Sequence, residues 1–304
     1  MLLILEQVLN GLQYGVTLFL LAAGLTLIFG IMGVINLAHG SLYMIGAFAG
    51  VYVGSLTGSY VMGMAGAIAV GAAAGLAMEA LVVRRLYARD HLDQVLATFA
   101  VILIANQAIV LLFGRQPLYA PIPAALAQPV TLGPGFQYPA YRLFVIAAGL
   151  GVAGLLYLLI NHTRIGMLVR AGSSNREMVR ALGVNIRWLY TSVFVLGALL
   201  ASFAGFVAGP IYSVEAGMGE RIILATFVVV VVGGLGSIKG AFVAALVLGM
   251  IDTLMRGVLP EIMRLLMEPS QADALSAGLA SMGIYLVMAL FLLVRPRGLF
   301  APGS

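Results

Sequence analysis

The sequence predicts an all-α, polytopic integral membrane protein of about eight to nine transmembrane helices with broken or re-entrant segments. Three observations carry that expectation. Of 304 residues, 62% are apolar and 9% charged, against roughly 25% charged in a soluble domain, so polar side chains are too few to solvate a globule of this size. The apolar residues fall in continuous runs of span length, without the alternation of barrel strands. In hydrocarbon only helices and closed barrels satisfy every backbone group, which leaves helices. There is no Cys, so disulfides and thiolate metal sites are excluded. His39, His91 and His162 are scattered without ligand spacing, and no metal is expected. The net charge of +5 fits the positive-inside bias of a multi-pass membrane protein rather than nucleic-acid binding.

In chain order, the segments 8–30, 41–58, 61–83, 95–114, 141–160, 191–212, 220–232, 241–258 and 276–294 read as spans, with 220–232 short enough for a half-helix. The chain is read as one transmembrane domain, 1–304. Its amino terminus lacks the basic region of a cleavable signal and carries Glu6. Placing the connections 84–94, 161–190 and 233–240 and the tail from Arg295 in the cytoplasm puts eleven Lys or Arg on that side and five on the other. The amino terminus then lies outside and the carboxyl terminus inside. The outer connection 115–140 holds six of the 11 prolines; proline cannot donate a backbone bond, so this loop is expected to be stiff and irregular. Gly46, Gly50, Gly54 and Gly58, and again Gly197, Ala201, Gly205 and Gly209, recur every fourth residue, a spacing that lets helix backbones approach closely.

Two segments break the apolar pattern in the same way. One is GVINLAHG at 33–40, with Asn36, His39 and Gly40; the other is GGLGSIKG at 233–240, with Gly233, Gly234, Gly236, Ser237, Lys239 and Gly240. Each follows an apolar run, ends in a basic residue plus Gly and opens another run. Broken helices in transporters expose backbone at such points to a solute or a moving interface; two plain surface turns would look alike in sequence. Glu79 has Arg84 or Arg85 for a partner, and Asp252 has Arg256 four residues on.

The most charged stretch is the insert 161–190. Ser174 and Glu177 have capping-box spacing, Met178, Ala181 and Leu182 form a short apolar stripe beside Arg176 and Arg180, and Gly183 is a natural stop. A helix this short is not stable alone in water and needs a surface, either anionic headgroups or a groove in a soluble partner.

Taken together, four segments make the chain resemble the permease subunits of branched-chain (hydrophobic) amino acid ABC importers: 33–40 with Tyr43–Gly46, Glu79 with its arginines, 165–185 ending in ALGVN, and 232–241. The tail Arg295-Pro-Arg-Gly298 agrees; Arg84-Arg85-Leu86-Tyr87-Ala88-Arg89 replaces a Pro-Leu-Arg-type segment common in the family. The resemblance implies a bacterial inner-membrane permease, itself no enzyme, forming half of a pathway for such amino acids. Other members carry urea, short amides or small organic solutes; a channel or secondary transporter is the other class of reading. The chain has no G-x-x-x-x-G-K-[ST] loop, so it binds no cofactor and ATP is used by partners. Those implied partners are a homologous second permease, two ATPase subunits and an external solute-binding protein, with lipid and no nucleic acid. Within the resemblance, Asn36, His39, Gly40, Gly233, Gly234, Gly236, Ser237 and Gly240 line or gate the path. Arg170, Ala171, Glu177, Met178, Ala181, Leu182, Gly183 and Asn185 belong to the helix that docks on the ATPase.

Overall fold

The computed structural model describes residues 2–300 except 297. Arg297 of the basic tail lies outside the described residues, as does the side chain of Arg176 beside the insert's apolar stripe. The helices are α1 (Leu2–Met32), α2 (His39–Thr57), α3 (Tyr60–Met78) continued through a π segment (Glu79–Val83) into α4 (Arg84–Leu86), α5 (His91–Phe113), α6 (Ala140–His162), α7 (Arg164–Ser174), α8 (Arg176–Ala181), α9 (Ile186–Tyr212), α10 (Met218–Gly233), α11 (Ile238–Arg264) and α12 (Pro269–Val294). Eight of the described helical stretches are long and apolar enough to cross a membrane. The ninth apolar run, α10, has 16 residues, about 24 Å at 1.5 Å per residue, and falls short of the roughly 30 Å hydrocarbon layer.

Helix starts follow from capping chemistry. Ser59, Thr163, Asn185 and Ser237 each accept the N–H three residues on, and Pro269 occupies the first turn of α12, where its missing N–H costs nothing. One expected cap is corrected. Ser174 does not cap the insert's helix, because it still lies in the last turn of α7; the extended residue is Asn175, whose side chain accepts from Met178 N–H at 2.9 Å. A second correction concerns the outer loop, which holds an antiparallel hairpin of β1 (Pro129–Gly133) and β2 (Phe136–Pro139), with Val130 opposite Tyr138 and Thr131 opposite Gln137. Val, Thr, Phe and Tyr favour strands, Gly135 turns at φ +73°, and the prolines stand at strand ends where no ladder donor is needed.

The chain gathers into two compact units, each discontinuous in sequence. In the unit comprising 23–122 and 151–224, α2 packs on α3 and α9. The two glycine rows partly serve this: a Cβ on Gly46 would lie 2.3 Å from Ser202 Cα, and one on Gly205 would lie 1.9 Å from the Tyr43 carbonyl. Ser202 Oγ donates to Leu42 O at 3.0 Å across the same contact. Gly58 plays a different part, ending α2 at φ +65°.

In the unit comprising 1–22, 123–150 and 225–304, the start of α1 meets α11 through Gly11, Gly15 and Gly249 at backbone distance. Phe19 and Phe242 meet edge to face at 5.0 Å, and α12 packs on α11. The hairpin is held by Tyr138 Oη donating to Asn10 Oδ1 at 2.9 Å, with Arg142 donating to the same oxygen.

Candidate functional site

The first break lies in the unit of 23–122 and 151–224. α1 closes with Gly33 N–H on Phe29 O at 2.9 Å, and Gly33 takes φ +66°. Residues 34–38 then run without helix before α2 begins at His39. Their backbone donors find side chains of α5: Ile35 N–H donates to Gln94 Oε1 at 3.1 Å and Leu37 N–H to Thr98 Oγ1 at 3.3 Å. Each orphaned donor would otherwise cost about 1–3 kcal/mol, and irregular backbone is tolerated at membrane depth only when buried or lining water. Asn36 and His39 are both fully buried. The Asn36 amide finds no hydrogen-bond partner among the described residues, while the His39 ring is packed so close to Gly24 that a Cβ there would sit 2.9 Å from Nε2. Gly40 is required by the Gly219 carbonyl, 2.3 Å from where its Cβ would be.

At the end of α3 the Glu79 carboxylate, fully buried, receives Arg84 Nη2 at 2.7 Å, Arg84 Nε at 3.2 Å and Tyr87 Oη at 2.5 Å. Arg84 Nη2 also donates to Thr191 Oγ1 at 3.3 Å, and Tyr87 meets the Tyr190 ring edge-on at 5.1 Å. The expected Glu79 ion pair thus forms with Arg84, and it reaches α9. Burial, and after it the bond to Glu79, holds the Tyr87 phenol above its ordinary range, so it remains a donor across physiological pH. The carboxylate sits in the π segment; such one-turn insertions cluster at functional positions.

The second break lies in the unit of 1–22, 123–150 and 225–304. α10 ends at Gly233, Gly234 and Gly236 take φ +101° and +84°, and Ser237 caps α11 on Gly240 N–H at 3.1 Å. Gly233 and Gly240 face one another so closely that a Cβ on Gly240 would lie 1.8 Å from the Gly233 carbonyl. The residues after α12 close over this turn: Leu299 N–H donates to Val232 O at 2.8 Å and Phe300 N–H to Gly233 O at 3.2 Å. The two breaks differ where the sequence makes them look alike, since His39 is buried and Lys239 is exposed. The Asp252–Arg256 pair forms in the same unit, Nε to Oδ2 at 2.8 Å.

In the insert, α7 returns along the end of α6. Gly166 lies against the Leu159 and Ile160 carbonyls, and Arg170 donates to Ile160 O. Ala171 O accepts Asn175 N–H at 2.9 Å, and Asn185 caps α9 on Trp188 N–H at 3.2 Å. Bonds from Arg170, Ala171 and Asn185 thus help to build the insert, while Arg170 and Asn185 remain exposed. Glu177, Met178, Ala181 and Leu182 also face outward, with Met178 58% and Leu182 76% exposed; Val179 turns inward. Gly183 ends the helix at φ +83°.

Gln94, Thr98, Tyr87 and Thr191 were not singled out by sequence. The discoverable signal was Gln94 and Thr98 at i and i+4 on one face of a largely apolar helix, obscured because α5 starts at His91 rather than at Val95.

A mainly helical, multi-pass membrane protein with a buried helix break at 34–38, a second break at 234–237 and an insert that exposes Met178 and Leu182 is consistent with a transport subunit. Residues 7–293 match the family described as the permease component of branched-chain amino acid transport systems, and the chain belongs to that family. It is 29% identical over 264 residues to the high-affinity branched-chain amino acid transport system permease protein BraD of Pseudomonas aeruginosa, covering 82% of this chain and 85% of the relative. Similarity to LivH of Escherichia coli is 28% over 269 residues, with the same coverage. A probable branched-chain amino acid transport permease LivH of Methanocaldococcus jannaschii is 26% identical over 259 residues, 82% of this chain and 80% of that one. No solved structure matches the chain. As a family member the chain is a permease subunit working with other transporter components.

Proposed function

We propose that this chain forms one half of the translocation pathway of an ATP-driven importer of branched-chain or other hydrophobic amino acids. A homologous permease supplies the other half, two separate ATPase subunits supply hydrolysis, and an external binding protein delivers solute. The chain itself binds no nucleotide and catalyses no reaction. The observation that carries the substrate class is that relatives aligned over four fifths of both chains are permeases for branched-chain amino acids. Few charges at membrane depth suit a neutral or zwitterionic solute.

In this reading α8 is the docking element. Met178 on α8, a helix of six residues, and Leu182 at its end present apolar side chains to solvent, and a helix this short does not hold itself without a partner surface. Asn36, His39 and Gly40 in the first break, and Gly233, Gly234, Gly236, Ser237 and Gly240 in the second, gate the path as the pair of permeases alternates between two states. Uptake of labelled leucine, isoleucine and valine by the assembled complex, with urea and short amides as competitors, tests the substrate. Competition among the three amino acids and none from urea is expected; displacement of leucine uptake by an amide at comparable concentration would assign the chain to another solute branch.

A further inference from the structure

We propose that Gln94 is a positioning residue that carries the movement of the insert to the first helix break, linking the docking element to the gate. This rests on the reading of α8 as the docking element. The physical basis is an unbroken series of contacts within one compact unit. α7 passes beside both ends of the route: a Cβ built on Gly172 would lie 3.3 Å from Leu189 Cδ2 of α9 and 3.6 Å from Ile31 Cγ2 just before the break. From α9, Thr191 and Tyr190 contact Arg84 and Tyr87, which converge on the buried Glu79 carboxylate.

The same turn presents two carbonyls to one side chain. Gln94 Nε2 donates to Leu86 O at 3.2 Å and to Arg89 O at 3.1 Å. Its other end, Oε1, accepts Ile35 N–H inside the break at 3.1 Å. A primary amide is the only neutral side-chain group with two donors and an acceptor at one tip, and here all three functions are used, two on the inner turn and one on the gate. Gln94 is buried, so water does not compete for these bonds.

In this proposal the break is the two-state element: its Asn36 amide is buried, with neither polar atom hydrogen-bonded to another described residue. A buried amide left so is disfavoured, and a shift of the 34–38 backbone is the simplest way to change its surroundings. Coupling between distant sites requires such an element, whose balance both sites bias. Thr98, bonded to Leu37 N–H, holds the far side of the same strand of backbone.

The test uses the whole importer in vesicles, reading solute moved per ATP hydrolysed. Gln94→Leu is expected to assemble and hydrolyse ATP at close to the parental rate while transport per ATP falls about tenfold, within the usual range of coupling energies. Gln94→Glu retains the acceptor for Ile35 N–H but loses both donors to the inner turn, so it is expected to be uncoupled as well. Glu79→Gln combined with Gln94→Leu is expected to add little beyond either alone, since both interrupt one route. An unchanged ratio in assembled Gln94→Leu, or hydrolysis and transport falling in proportion in Gln94→Glu, overturns the inference. If the parental complex moves solute without ATP, the functional reading itself fails, and that result is separate from any behaviour of the variants.

Discussion

Gly205→Ala is expected to prevent stable packing of α2 on α9. The added carbon would lie 1.9 Å from the Tyr43 carbonyl oxygen and 2.8 Å from its carbon, and both belong to backbone that cannot rotate away. The two helices are also tied one residue back by Ser202 Oγ on Leu42 O, so one contact cannot open without straining the other. Overpacking of this kind costs about 1–3 kcal/mol and more where nothing yields, a large share of a total stability of about 5–15 kcal/mol. Thermal unfolding of the purified complex should fall by about 5 °C or more, or assembled protein should be lost. Gly54→Ala is the control from the facing glycine row of α2; its Cβ would meet nothing closer than 3.7 Å, and it is expected to melt like the parent. Equal melting of the two variants would contradict this account of the packing.

Met178→Glu is expected to abolish stimulation of ATP hydrolysis by loaded binding protein while leaving the spans inserted. Met178 faces outward from α8 and makes no structural contribution comparable to Val179, which is buried. Placing a carboxylate in an apolar groove of a partner costs several kcal/mol, and loss of a central anchor is commonly worth 2 kcal/mol or more. Transport should therefore drop by about a hundredfold, with Leu182→Glu close behind. Normal stimulation in the Met178 variant would show that α8 docks elsewhere, for instance on anionic lipid.

Much of the fold is legible in the sequence because lipid leaves so few solutions: long apolar runs became helices, and Glu79 and Asp252 found basic partners close in sequence. The Asp252 pair depends only on helical period. What was not legible depends on tertiary placement. Whether Ser174 or Asn175 caps α8 is decided by where α7 stops. The hairpin at 129–139 was hidden by its own prolines, which lie at strand ends rather than within them. His39 and Lys239 look equivalent in sequence, yet one is buried and the other exposed, since each is governed by its own unit's packing. Gln94 acquires meaning only once the inner turn and the first break are both in place.

The central claim is that this subunit moves solute only when separate ATPase subunits drive it through the insert. Its most direct test is uptake by vesicles holding the permease pair with and without the ATPases, at fixed external binding protein. Accumulation is predicted only when the ATPases and ATP are both present. Movement of amino acid in the permease-only vesicles, downhill or uphill, would contradict the account.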